Sequence, residues 1–192
     1  MHHLLLASSS TYRRELLSRL RLPFVHASPE IDETPLPLET AEALARRLAE
    51  QKTRALADCY PQHLIIGSDQ VAVIGQRIVG KPLTFERARE QLQAANGQEV
   101  RFLTAVSLLN AQSGRLQLDC IPFSVRFRDL SDAQIDRYLE AEKPFDCAGS
   151  FKVEGLGISL FRSTEGSDLT SLIGLPLIRL VDMLASEGVE VP

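Results

Sequence analysis

The sequence predicts a mixed-sheet protein of the α/β or α+β class, elongated into two lobes. Three observations lead there. In the first half of the chain, short apolar runs of strand length alternate with segments of helical period, which implies crossover connections. Around Ser113-Gly114, two long strand-like runs are separated only by a turn, which implies a hairpin. The 192 residues are 44% hydrophobic and 24% charged, with 11 Gly and 10 Pro. Those are globular proportions, with enough chain to bury a substantial core.

Leu4–Ala7 reads as a short buried strand, and the helix that follows begins near Ser10, with its body over Glu15–Leu22. Phe24–Ala27 is a further strand candidate. The clearest amphipathic helix runs from Thr40 to Leu56: Thr40 is placed to cap it, and Leu44, Leu48 and Ala55 lie on one stripe. His63–Gly67 is a strand run ending in Ser68 and Asp69, followed by Val71–Ile74 and a turn at Gly75. Thr84 caps a helix reaching about Ala95. Asn96-Gly97 turns the chain into a strand over Val100–Leu109, and the hairpin leads into Leu116–Phe127. Ser131 starts a helix to about Ala141. Gly157–Phe161 reads as a strand, and Leu172–Ala185 as a final helix, interrupted or started afresh at Pro176. Neither repeats nor low-complexity segments nor an obvious linker divide the chain, so residues 1–192 are expected to form a single domain.

The net charge is −4, from 21 Lys plus Arg against 25 Asp plus Glu. This argues against a dedicated nucleic-acid-binding protein or a polybasic membrane-surface protein, and leaves room for a local basic pocket holding a small anion. The charge is uneven. Residues 1–27 carry four arginines against Glu15, and residues 28–52 carry six acids against Arg46, Arg47 and Lys52. Cys59, Cys120 and Cys147 are an odd number without a CxxC pair, as expected for a reducing cytosol. The first apolar run is too short for a signal peptide, and no stretch reaches the length of a membrane span. A cytoplasmic location is expected.

Several constellations carry chemistry. Leu4–Ala7 runs through Ser8, Ser9, Ser10 and Thr11 into a helix whose first turn holds Arg13 and Arg14. A serine there caps the helix. Two cations in the first turn, however, oppose the macrodipole at about 0.3–1 kcal/mol each when exposed, and a bound phosphate reverses that penalty. Lys52 continues the Leu44–Leu48 stripe; either its stem packs while its ammonium snorkels to water, or it binds an anion. Asp69 ends an apolar strand, where open α/β sheets place ligands. It is either a turn former or an acid recruited for proton transfer, a task for which an ordinary aspartate, near pKa 3.9, needs burial or a metal-bound water. Lys81 lies in a loop; either the rigid Pro82 fixes its direction or it is an ordinary exposed turn lysine. Glu30, Asp32 and Glu33 form an acidic loop that offers hard-cation ligands or is simply solvated. No P-loop, Rossmann fingerprint, HExxH or GxSxG is present.

In this order and spacing, ASSSTYRREL (7–16), PEIDET (29–34), Glu50-Gln51-Lys52, IIGSDQV (65–71), GKPLT (80–84), CAGSF (147–151) and GLPL (174–177) resemble the Maf family of nucleotide pyrophosphatases along nearly the whole chain. The resemblance implies an elongated α/β fold of the Maf and inosine triphosphate pyrophosphatase-like kind, with a central cleft between two lobes, commonly as a homodimer. It implies hydrolysis of a nucleoside triphosphate to monophosphate and diphosphate, dependent on a divalent cation (Mg²⁺, Mn²⁺ or Co²⁺) whose ligands it does not fix. By position, Asp69 is then the proton acceptor. Ser10 and Arg13 belong to the phosphate loop, and Glu33, Lys52 and Lys81 support metal, triphosphate and transition state.

The positions thought to select the base correspond to Tyr12, Gln70 and Glu154, a combination similar to the subgroup acting on 7-methyl-GTP. The chemistry agrees. A 7-methylguanine ring is cationic and gains about 0.5–2 kcal/mol from an aromatic face, and its N1–H and N2–H₂ donors suit a carboxylate such as Glu154. That subgroup favours Trp at the first position; Tyr12 keeps the aromatic face and adds a hydroxyl. The expected role is removal of a modified nucleotide before nucleic acid synthesis. The alternatives are a Maf-type enzyme for dTTP, UTP or another modified triphosphate, and a non-catalytic nucleotide-binding regulator linked to cell division.

Overall fold

The computed structural model describes residues 3–191. Seven strands join one sheet: β1 (His3–Ala7), β2 (Phe24–Ala27), β3 (His63–Ile74), β4 (Arg77–Val79), β5 (Glu99–Asn110), β6 (Leu116–Phe127) and β7 (Phe161–Gly166). The order is β2-β1-β3-β5-β6-β7, with β4 paired to β3. β1 runs parallel to β2 and β3, whereas the β3–β4 and β6–β7 pairs are antiparallel. Helices α1 (Thr11–Ser18), α2 (Ala41–Arg54), α3 (Phe85–Ala95), α4 (Asp132–Glu142), α5 (Leu169–Ile173) and α6 (Leu177–Ala185) complete the mixed α/β architecture. None among the described residues is long and apolar enough to cross a membrane. The chain forms two compact units, one from residues up to Asp69, Thr104–Ile121 and Asp168 onward, the other from Gln70–Leu103 and Pro122–Ser167.

In the first unit β1 is buried on both faces, which explains its uninterrupted apolar run. Leu4 and Leu6 join Leu64, Ile66, Val106 and Leu108 in a core closed by Leu16 and Leu17 of α1 and by Leu180, Met183 and Leu184 of α6. Leu5 and Ala7 point the other way, to Ile65 and Leu109, against partly buried Leu56 and Tyr60. α2 starts where expected, Thr40 Oγ1 accepting the Ala43 amide at 3.2 Å.

The second unit is built around edge-to-face aromatics. Phe151 stands 5.3 Å from Phe102, 5.9 Å from Phe127 and 4.7 Å from Phe161 between ring centroids. Arg89 of α3 reaches Asp136 at 2.6 Å and Asp132 at 3.2 Å on α4.

Two readings of the sequence are revised. β3 does not end at Asp69: it continues unbroken to Ile74, so Asp69 is an internal strand residue, not a turn former. Residues Leu156–Leu160 form a 3-10 turn, and the strand begins at Phe161. There the chain folds back so closely that a Cβ on Gly157 would lie 2.3 Å from the Lys152 carbonyl oxygen. The turn expected at Gly75 is present, and the segment after it pairs back as β4. The C-terminal helix starts afresh at Pro176, one of the two readings of the sequence: Gly174 ends α5 at φ 127° and Pro176 precedes α6.

Candidate active site

The IGSDQ run of β3 assigns a distinct task to each of its central residues. Gly67 lets α2 approach: a Cβ there would lie 2.4 Å from the Ala49 carbonyl oxygen and 2.8 Å from Thr53 Cγ2. Ser107 secures the same contact, its Oγ donating to the Ala49 carbonyl at 2.7 Å. Ser68, fully buried, places its hydroxyl 2.7 Å from the Ala105 carbonyl and 2.9 Å from that of Gly174. Asp69 then meets α2. Lys52 Nζ lies 2.6 Å from Asp69 Oδ1 and 2.8 Å from Glu33 Oε1.

Lys52 therefore does not snorkel. Its side chain is 8% exposed and that of Asp69 12%, whereas Glu33, on the loop before α2, is 59% exposed. A buried ammonium is tolerated only when paired, and here two carboxylates converge on it.

Arg13 is the second cation of the site. Ser10 caps α1 as foreseen, its Oγ accepting the Arg13 amide at 3.3 Å, and the Ser10 amide donates to Ser8 Oγ at 3.1 Å. The Arg13 side chain turns toward the GLPL segment, where Nε donates to the Gly174 carbonyl at 2.8 Å. Burial pulls its pKa down from the ordinary arginine value, and the negative charges of Asp69 and Glu33 oppose that shift. The basic and acidic segments read from the sequence thus meet electrostatically at this point. Arg14 goes elsewhere, its Nη1 lying 3.1 Å from His26 Nε2.

The Gly174 carbonyl serves both Arg13 and Ser68, and its position is fixed by a residue that sequence reasoning missed. Asp168 is 4% exposed. Its Oδ1 accepts the Thr170 amide at 2.8 Å and its Oδ2 the Ile178 amide at 3.0 Å, so one carboxylate caps both α5 and α6. The Thr170 hydroxyl oxygen accepts the Leu177 amide at 2.9 Å. An aspartate two residues before a threonine, just ahead of a Gly-Leu-Pro break, is the signal that was available.

Of the sequence-predicted residues, Ser10, Tyr12, Arg13, Glu33, Lys52 and Asp69 belong to the first unit, and Gln70, Lys81 and Glu154 to the second. Glu33, Lys52 and Asp69 are brought into direct contact. Tyr12 and Gln70 are half-buried; Lys81 and Glu154 are exposed. The turn carrying Glu154 is tied to α4 on both sides: the Lys152 amide donates to Tyr138 Oη at 3.0 Å and the Leu156 amide to Glu142 Oε2 at 2.7 Å. Burial pushes the Tyr138 phenol well above its usual range.

No group of three or more His, Cys, Asp or Glu side chains that could hold a metal ion gathers among the described residues. Glu33 and Asp69 nevertheless fit a hard divalent cation: their oxygens already converge on one positive charge, and Mg²⁺-like ions are held by one or two carboxylates together with substrate phosphates.

Together, a mixed sheet, an arginine anchored at a helix start and a lysine held between two carboxylates define an α/β protein with a buried, charge-paired cluster beside a helix N-terminus. The chain belongs to the Maf family, whose model, described as Maf-like protein, matches residues 3–187. It is 70% identical over 189 residues to a protein of Pseudomonas fluorescens named 7-methyl-GTP pyrophosphatase, covering 98% of each chain. A protein of the same name from Pseudomonas aeruginosa is 65% identical over 192 residues and the full length of both. Among solved structures, the Staphylococcus aureus Ham1 protein superposes with a TM-score of 0.48 and 15% identity, covering 66% of this chain and 72% of that one.

Proposed function

We propose that this chain hydrolyses 7-methyl-GTP to 7-methyl-GMP and diphosphate, removing a modified nucleotide before it reaches nucleic acid synthesis. The observation that carries the reading is the buried Lys52 ammonium bridging Asp69 and Glu33, with Arg13 in their field. Full-length relatives named for this activity support the substrate.

In the reaction, a water oxygen bonds to the α-phosphorus and the bond from that phosphorus to the α–β bridging oxygen breaks. Asp69 accepts the water's proton, and diphosphate leaves with the electron pair. Such transfers depend on positioning and charge neutralisation more than on covalent chemistry. Arg13, held through Nε, presents its two terminal amino groups to phosphate oxygens, and Ser10 orders the turn beneath them. Lys52 keeps the two carboxylates oriented, and Lys81 adds a cation for the triphosphate. Glu33 and Asp69 would hold a divalent metal (Mg²⁺, Mn²⁺ or Co²⁺), which supplies Lewis-acid neutralisation of phosphate charge. Tyr12 offers an aromatic face to the cationic base, while Gln70 and Glu154 meet its polar edge.

Asp69→Asn tests the assignment. It is expected to lower kcat at least about 10²-fold while nucleotide affinity, followed by calorimetry, changes little. Retained turnover would remove Asp69 as the proton acceptor.

A further inference from the structure

Glu33 is the exposed member of the charged cluster, and it sits on a segment without regular secondary structure between β2 and α2. That segment has little apolar anchorage: Leu36 and Leu38 are 55% and 101% exposed, and Leu38 takes a left-handed φ of 61°. Arg47 of α2 supplies what the packing does not. Its Nε donates to Glu39 Oε1 at 2.7 Å and its Nη2 to Glu39 Oε2 at 2.8 Å, a two-pronged fork. The same Nη2 donates to the carbonyl of Thr34, the residue after Glu33, at 3.0 Å, and Nη1 reaches Gln51 Oε1 at 3.2 Å. Glu39 in turn accepts the Leu36 amide at 2.9 Å, and its side chain is only 7% exposed.

Arg47 and Lys52 are five residues apart on one helix. One therefore grips the loop backbone a single peptide from Glu33, while the other receives the Glu33 carboxylate. We propose that Arg47 and Glu39 are a positioning pair that sets the 33–39 loop on α2, so that the Glu33 carboxylate is delivered to Lys52 and Asp69. The fork adds stability, and beyond that it fixes the geometry of the loop, which is what the site uses. Lysine cannot reproduce it, having no planar fork to engage both carboxylate oxygens and the carbonyl together. The proposal deepens the reading above and rests on Glu33 supporting the reaction.

The test uses the full chain and four variants: Arg47→Gln, Glu39→Gln, Glu33→Gln and the double variant Arg47→Gln/Glu33→Gln. Steady-state diphosphate release from 7-methyl-GTP is measured beside hydrogen exchange at the Leu36 amide. Arg47→Gln and Glu39→Gln are each expected to speed Leu36 exchange and to lower kcat about ten- to hundredfold, with a smaller change in KM. The double variant is expected to be no slower than Glu33→Gln alone, because residues acting through one another do not add. Multiplying losses, or unchanged Leu36 exchange in both single variants, would overturn the proposal. Wild-type turnover by Glu33→Gln would instead sink the role given to Glu33, and Leu36 exchange would still decide whether the clamp exists.

Discussion

Replacing Gly67 by alanine should damage stability and turnover together, because one contact sets both. A Cβ at position 67 would lie 2.4 Å from the Ala49 carbonyl oxygen, and that backbone atom cannot rotate away as a side chain would. To restore a separation of 3.0–3.4 Å, α2 must retreat by about 0.6–1.0 Å. Lys52 is one turn further along the same helix. A rigid retreat stretches its 2.6 Å contact with Asp69 to about 3.2–3.6 Å, beyond a good charge-assisted hydrogen bond. Overpacking of this kind costs about 1–3 kcal/mol. For a chain of this length that lowers Tm by about 2–12 °C. A displacement near 1 Å in a catalytic constellation costs about 10²-fold in rate. Thermal melting and steady-state diphosphate release, on the same preparation at a temperature where both proteins are folded, read the two effects. Wild-type melting would refute the packing argument. A lowered Tm with unchanged kcat would refute the link from helix position to the Lys52–Asp69 pair.

Two further outcomes follow from the geometry. Glu154→Gln should lower kcat/KM for 7-methyl-GTP by about tenfold or more, the worth of a hydrogen bond to a charged group, and that for UTP much less; equal losses would contradict base recognition by Glu154. The Arg47 guanidinium, assisted by the Leu36 amide, holds the Glu39 carboxyl at about 2, below its ordinary 4.5. The folded-state pKa is the lower one, so the stabilisation is complete above about pH 4.5 and is lost as pH falls toward 2. The melting temperatures of wild type and Glu39→Gln should therefore converge over that interval, and a gap independent of pH would contradict the pairing.

Much of the fold could be read from local pattern. Continuous apolar runs such as Leu4–Ala7 mark strands buried on both faces, and Thr40, Thr84 and Ser131 each mark a helix start because a hydroxyl there accepts an amide or completes a capping box. Failures came where tertiary contact overrode pattern. Gly157 to Phe161 looks like a strand, yet the backbone turns on itself there. The true strand, Phe161–Gly166, is polar and exposed beyond its first residue, so it lacks alternation. At the site, local pattern marks Arg13, Glu33, Lys52 and Asp69 as candidates and motif resemblance gives them roles; spacing alone leaves Lys52 undecided between water and a partner. Asp168, Arg47 and Glu39 were passed over because each looks like an ordinary surface charge. Only the folded chain shows that one carboxylate caps two helices and that one guanidinium holds a loop.

The most direct test is a steady-state panel of 7-methyl-GTP, GTP, UTP and dTTP with one divalent metal, with diphosphate and orthophosphate quantified separately. The expected result is the highest kcat/KM for 7-methyl-GTP, with diphosphate and 7-methyl-GMP as products. Faster turnover of UTP or dTTP, orthophosphate as the product, or no release from any triphosphate would contradict the account.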